Sequence, residues 1–260
     1  MKTASQFTAG LPQLDIFTLS EDWALATGLE NHWRLLAGSL GLKPSEWIDT
    51  GGDRMYGAVI SLTTRFDLGD VIGEDDAFSA ETEFLSIRKP HALSRTRFVV
   101  DGKSKAEVGL LTSFIKRTSR GSNKKFSKVR DLWTADDFNG EAIDDLLDRH
   151  HRMKDTPDAG AVAMQYEVNR IQDFNVADFL YFKNYVRLAK AAEWRQNRGH
   201  ATRLNAAREC FFYGNVEDGQ MMSSKVHRRG DALQTTHLSD DGRRIFLSLA
   251  TAPQVAIPER

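Results

Sequence analysis

Apolar residues recur at helical spacing just after Ser20: Trp23, Ala26, Leu29, Trp33, Leu36 and Leu40 form one stripe, with Leu25 and Leu35 beside it. Ser20 is a good N-cap, and Glu21 and Asp22 stand where the unpaired N–H groups of a first turn favour acids. The spacing therefore predicts a helix from there to Leu40. A second helix is predicted to start near Asp173-Phe174-Asn175. It carries Val176, Phe179, Leu180, Phe182, Tyr185, Val186, Ala189 and Ala192, so it is apolar around most of its girth and must be largely buried. Strand-like runs follow each helix: 54–64, 77–87, an Asp101-Gly102 hairpin turn and 107–117, then 207–216, 221–227, 233–237, an Asp241-Gly242 turn and 243–250.

The halves also echo one another in sequence. Asn31-His32-Trp33-Arg34-Leu35 lines up with Asn184-Tyr185-Val186-Arg187-Leu188, and Met55-Tyr56-Gly57 with Phe212-Tyr213-Gly214. Ala92-Leu93-Ser94-Arg95-Thr96 and Asp101-Gly102-Lys103 match Ala232-Leu233-Gln234-Thr235-Thr236 and Asp241-Gly242-Arg243 in the same order. Chance similarity between two α+β segments is the competing explanation. One buried helix followed by a strand meander, twice over, implies an α+β chain in which an antiparallel sheet wraps a central helix. The expected domains are 1–130 and 131–260. Between them a basic run (Lys116, Arg117, Arg120, Lys124, Lys125, Lys128, Arg130) gives way to an acidic one (Asp136, Asp137, Glu141, Asp144, Asp145, Asp148), which reads as a linker.

Composition narrows the class. With 35 Lys+Arg against 36 Asp+Glu the formal charge is −1, which argues against general nucleic-acid binding. A single cysteine, Cys210, excludes an intrachain disulfide framework and suits a reducing compartment. The first residues lack an apolar signal core, and nowhere do about eighteen apolar residues run together, so a soluble cytoplasmic protein with no membrane partner is expected.

The run Asp173-Phe174-Asn175-Val176-Ala177-Asp178-Phe179-Leu180-Tyr181-Phe182-Lys183-Asn184-Tyr185 resembles the signature at the start of the hot-dog helix. The first half, with Pro12-Gln13-Leu14, Leu19-Ser20-Glu21-Asp22-Trp23, His32-Trp33 and Tyr56-Gly57, resembles the leinamycin-type bifunctional acyltransferase/decarboxylase family of polyketide biosynthesis. That resemblance implies a tandem (double) hot-dog fold. It also implies decarboxylation of a methylmalonyl thioester, transfer of the acyl group to an acyl carrier protein, and a catalytic role for Tyr56. The substrate would be a coenzyme A or phosphopantetheine thioester, with no further cofactor. The Asp-x-Asn pattern of the second half is closer to hot-dog thioesterases, which would make Asp173 a general base or nucleophile. A dehydratase, a non-catalytic acyl-carrier binding module, and either a monomer or a homodimer stay open beside these.

Elementary chemistry weighs the same residues. The start of a buried helix presents N–H groups and a positive dipole end to a developing oxyanion or enolate. A free phenol has a pKa of about 10, so covalent chemistry through Tyr56 would need a neighbouring cation or N–H donors. Arg54, two positions away on a strand, shares its face. Alternatively, Tyr56 is an aromatic packing on the helix. Asp173 and Asn175 are equally readable as helix caps, and so is Ser20. His32, beside Trp33, is a catalytic candidate or a satisfied core histidine. Ser20, Trp23, Arg54, Asn175 and Tyr213, the repeat partner of Tyr56, complete the residues expected to contact substrate. No metal is expected: His150 and His151 are adjacent, and His227, His237 and Cys210 lack ligand spacing. The basic run 116–130 offers a docking surface for an acidic carrier protein or coenzyme A phosphates.

Overall fold

A computed structural model of the chain describes residues 1–119, 122–129, 137–196 and 206–251. The chain divides into two compact units, Met1–His150 and His151–Arg260. In the first, β1 (Lys2–Thr8) leads into α1 (Glu21–Leu40), then β2 (Met55–Phe66), β3 (Ala77–Arg88), β4 (His91–Val100), β5 (Lys103–Arg117) and the short β6 (Phe126–Lys128). The strands pair antiparallel in the order β1-β3-β4-β5-β2, with β6 on the end of β5. Helix α2 (Gly140–Lys154) spans the division in the chain. The second unit has β7 (Ala161–Glu167), a single turn α3 (Arg170–Asp173), α4 (Phe182–Gln196), β8 (Ala207–Phe212), β9 (Met221–Arg229), β10 (Ala232–Leu238) and β11 (Arg244–Thr251). Its antiparallel order is β7-β9-β10-β11-β8. In order and pairing, β1, α1 and β2 to β5 of the first unit correspond to β7, α4 and β8 to β11 of the second, with β6 and α3 outside the match.

Helix α1 lays Ala24, Leu25, Leu29, Leu35 and Leu36 into the core, each at most 7% exposed. Each large aliphatic side chain removed from water contributes about 1.5–3 kcal/mol. The buried face is thus rotated from the expected stripe: Leu25 and Leu35 are central, whereas Trp23, Ala26, Trp33 and Leu40 are only partly covered. The reason is that Glu21, Asn31 and His32 share the buried face, and a purely apolar pattern does not count them. Around this helix, Trp23 meets Phe7 edge-on at 5.0 Å between centroids, and Phe78 and Phe98 close the cluster.

Helix α4 begins later than expected. Asn175 withdraws the N–H groups of Ala177 and Phe179, and Asp178 takes a left-handed backbone with φ 61°, so residues 174–181 form a loop. Val176, expected inside a buried helix, is fully exposed.

The charged stretch between the halves is more structured than a linker. Lys116 and Arg117 finish β5, 126–128 is a strand, and Glu141–Asp148 lie on α2, where Ile143 and Met153 are buried. Arg120, Arg130 and Asp136 lie outside the described residues. Strands β1 and β7 carry no apolar alternation strong enough to predict them; each bonds one neighbour at the margin of its unit's strand order. Among the described residues no helix is long and apolar enough to cross a membrane.

The topological repeat is firmer than the residue matches that suggested it. On β4, Ser94 faces α1 and bonds His32, while on β10 it is Thr235 and His237 that face α4. Gln234, the sequence counterpart of Ser94, points away and donates to the Pro157 carbonyl. With a side-chain period of two, that one-residue slip exchanges the faces.

Candidate active site

The loop before α4 is built around Asp173. Its carboxylate is fully buried and accepts from the Arg187 guanidinium, the Tyr166 hydroxyl and the Asn169 N–H, each at 2.9 Å. Its main-chain carbonyl accepts from Tyr181 N at 2.8 Å and Asn184 Nδ2 at 2.9 Å, tying the loop to the first turn of α4. Burial, then the Asp173 bond, pushes the Tyr166 phenol pKa up. The Asn175 side chain shapes the next turn.

The corresponding loop of the first unit is one residue shorter and closes in the same manner. Asp15 Oδ1 accepts from Phe17 N and Thr18 N at 2.8 and 3.0 Å, as Asn175 Oδ1 does from Ala177 N and Phe179 N at 3.0 and 3.2 Å. Ser20 N donates to the Gln13 carbonyl at 2.8 Å, as Tyr181 N does to that of Asp173. Isolated bridges Leu14–Leu19 and Phe174–Leu180 complete the match, and Ile16 and Val176 project from the two tips at 79% and 107% exposure. Gln13-x-Asp15 is therefore the structural counterpart of Asp173-x-Asn175.

The helix starts differ in charge. α1 is capped by Ser20, whose Oγ accepts from Trp23 N at 3.5 Å, and has Glu21 and Asp22 in its first turn. Glu21 is itself buried and accepts from the Thr64 hydroxyl at 2.7 Å. α4 has no acid in its first turn, and Lys183 and Arg187 lie within or beside it. N–H groups at such an end suit a developing oxyanion, whereas the acids of α1 repel one.

Tyr56 lies on the opposite face of the first sheet from α1. Its neighbour Met55 joins the core cluster of Leu35, Leu36 and Trp47, and the Trp33 ring covers Gly57 so closely that a Cβ there would fall 2.3 Å from it. The phenol oxygen of Tyr56 accepts from Arg117 Nη1 at 3.0 Å, and that guanidinium stands 4.9 Å from the ring centroid. Asn123, 3% exposed, accepts from Arg117 through Nε and Nη2 at 3.2 and 2.8 Å and holds its plane. Arg54 is 6.0 Å from the ring centroid and donates to the carbonyls of Pro44 and Ser45. The shared strand face expected for Arg54 and Tyr56 is thus present.

His32 is fully buried among bonding partners: Nδ1 meets Ser94 Oγ at 2.7 Å and Nε2 meets Thr112 Oγ1 at 2.8 Å. Burial holds its pKa down at about 3, so the imidazole is neutral. Trp23 belongs to the aromatic cluster under α1. Tyr213 follows β8 and packs against Met153, Phe211 and Leu247, and burial raises its phenol pKa. The structure thus groups Asp173 with Asn175, and Tyr56 with Arg54. Arg117, Asn123, Tyr166 and Arg187 escaped sequence reasoning as site residues. The antiparallel pairing of the expected strands 54–64 and 107–117 was the available signal for Arg117, because it sets the end of one strand against the start of the other.

This arrangement, an antiparallel sheet wrapped on a helix and then repeated, is the double hot-dog fold. No family model and no curated protein matches the sequence. Among solved structures, the chain is similar to an acyl-ACP thioesterase from Bacteroides thetaiotaomicron at 13% identity and a TM-score of 0.68, covering 97% of this chain and 98% of that one. It is similar to a 12:0-ACP thioesterase from Umbellularia californica at 9% identity and a TM-score of 0.68, covering 97% of each. A MaoC-like dehydratase from Phytophthora Capsici matches at 10% identity and a TM-score of 0.54, covering 100% of this chain and 97% of that one. At these identities the likeness establishes the fold.

Proposed function

We propose that the chain hydrolyses acyl thioesters carried on the pantetheine arm of an acyl carrier protein or coenzyme A, with the thioester carbonyl at the start of α4. The observation that carries this reading is the contrast between the two helix starts: the first turn of α1 holds Glu21 and Asp22, and that of α4 holds no acid. Water adds to the carbonyl carbon, the oxyanion rests on N–H groups of α4, and the C–S bond then breaks to release the thiol and the free acid. A carboxylate offers about four acceptor sites, and three of those on Asp173 are filled. In this reading the fourth takes the proton of the attacking water. The whole-length likeness to acyl-ACP thioesterases supports the choice of substrate class.

A second reading, decarboxylating acyl transfer from a malonyl-type thioester to a carrier protein, is favoured by one contact. Arg117 at the phenol of Tyr56 is the cation that chemistry at a tyrosine oxygen requires. Intact-protein mass spectrometry separates the two. The protein is incubated with acyl-carrier protein in one arm, and with methylmalonyl-coenzyme A plus holo carrier protein in the other. Free acid and holo carrier protein, lost in Asp173→Asn, support hydrolysis. A carrier that gains a propionyl group, lost in Tyr56→Phe, supports transfer. Intact substrates in both arms overturn both.

A further inference from the structure

The three bonds to the Asp173 carboxylate are unevenly shared. Oδ2 takes two of them, from the Tyr166 hydroxyl and the Asn169 N–H, while Oδ1 takes only the one from Arg187 Nη2 at 2.9 Å. Each carboxylate oxygen has two acceptor positions. The one left over is therefore on Oδ1, the oxygen that the guanidinium already holds. Arg187 is itself fixed from several sides. Long helical side chains lean back toward the N-terminus, and this one reaches from the second turn of α4 to the loop before it. Its Nε donates to Asn184 Oδ1 at 3.2 Å, and its guanidinium carbon lies 5.6 Å from the centroid of the Tyr166 ring on β7. Asn184 also donates from Nδ2 to the Asp173 carbonyl at 2.9 Å, so one side chain steadies both members of the pair. The Asp173 side chain is wholly buried, whereas that of Arg187 is 43% exposed.

The first unit closes its loop without such a pair. Counted from Ser20 and Tyr181, whose N–H groups make the equivalent bond, Ala26 stands where Arg187 does, and Gln13 stands where Asp173 does. Gln13 Oε1 accepts from Gly10 N at 3.1 Å, a neutral and local bond. Taking a carboxylate out of water is costly even when a cation meets it. A loop of this kind shuts with glutamine and alanine, so closure alone does not account for the charged pair before α4.

We propose that Arg187 is a positioning residue for hydrolysis at α4, resting on the reading of Asp173 as the base: through its bond to Oδ1 it turns the remaining lone pair of that oxygen to the attacking water. The water oxygen bonds the carbonyl carbon as one of its protons passes to Oδ1. The C–S bond then breaks, the departing sulfur takes that proton, and free acid and thiol leave with Asp173 a carboxylate again. The guanidinium exchanges no proton.

The test measures kcat and KM of the full chain on a series of acyl-carrier proteins, from butyryl to palmitoyl, between about pH 4 and about pH 8, beside Arg187→Gln and Arg187→Lys. Tryptophan fluorescence follows folding at each pH. In Arg187→Gln, kcat falls about tenfold or more while KM stays within about twofold, as expected when a reacting group is left misplaced. The acid limb of kcat/KM moves to higher pH by about one unit or more, since a neighbouring cation favours a carboxylate over its acid. Arg187→Lys restores the acid limb with the charge but only part of kcat, because an ammonium lacks the fork that bonds Oδ1 and Asn184 at once. A merely structural loss lowers the rate at every pH and leaves the limb in place, and that result overturns the proposal. So does an unchanged kcat in Arg187→Gln, or, if that variant fails to fold, a kcat in Arg187→Lys equal to the native chain's. Native hydrolysis with an unmoved limb thus removes the role of Arg187 alone, whereas intact acyl-carrier protein throughout the series removes hydrolysis at α4 and this role together.

Discussion

Lowering the pH from 7 to 5 should remove a large, countable share of the folding free energy, because each unit holds one histidine that is completely buried and kept neutral. Burial holds His32 at about 3 and His237 at about 4, both below the ordinary 6.5. His237 is fixed between Ser224 Oγ and the Tyr185 carbonyl, each at 2.9 Å. The sign is that of a group whose folded pKa is depressed: below pH 6.5 the unfolded chain takes up a proton that the folded chain refuses, so stability present above 6.5 is lost as pH falls. The loss is about 1.4 kcal/mol per pH unit for each histidine, or about 2 kcal/mol each at pH 5 and about 4 kcal/mol together. Against a typical total of about 5–15 kcal/mol this is large. The window is chosen to isolate the imidazoles. Glu83, drawn down to about 2 by Lys2 and Arg95, contributes its own acid sensitivity only below its ordinary 4.5. The assay is urea denaturation followed by tryptophan fluorescence at pH 7, 6 and 5, for the native chain and for His32→Gln, His237→Gln and the double variant. Glutamine keeps a donor and an acceptor but cannot be protonated, so each single variant should halve the slope and the double variant should flatten it. Stability that is level between pH 7 and 5, or a slope that survives in the double variant, would refute the reasoning.

Other outcomes follow from single contacts. Arg208 and Glu193 form a buried bidentate pair at 2.8 and 3.0 Å, so Arg208→Met or Glu193→Leu alone should cost about 3–5 kcal/mol, while the double replacement should cost far less than their sum in a denaturation cycle. Gly57→Ala should destabilise by about 1–3 kcal/mol and change tryptophan fluorescence, since the new Cβ must displace the Trp33 ring. Asp173→Asn, which loses the charge on the Arg187 pair, should speed amide exchange across 174–181 while leaving exchange in β3 and β4 unchanged.

The duplicated helix-and-meander plan was legible in the sequence because it rests on apolar spacing and Asp-Gly turns, and both hairpins fall where Asp101-Gly102 and Asp241-Gly242 put them. What stayed hidden was polar. The buried faces of α1 and α4 include His32, Asn31 and Glu193, whose place is decided by partners on distant strands. The helix motifs also aligned wrongly for that reason: His32 and Glu193 occupy the polar centre of their units, although the sequence match set His32 against Tyr185, about two turns earlier in α4. Tyr56 and Asp173 stand as candidates by type and position. Arg117, Asn123 and Arg187 do not, because a guanidinium in a charged run looks like solvated surface until strand register shows what it reaches.

The loops at 13–20 and 173–181 close in like fashion from unlike peptides, an aspartate in one and an asparagine in the other gathering the turn, although the second is one residue longer and passes through the left-handed Asp178. The polypeptide thus carries its own standard. Any substitution at Asp173 or Asn175 can be scored against the untouched loop at Gln13 and Asp15 in the same sample, at the same temperature and solvent, so that a change confined to one loop separates chemistry at that position from a general loosening of the chain.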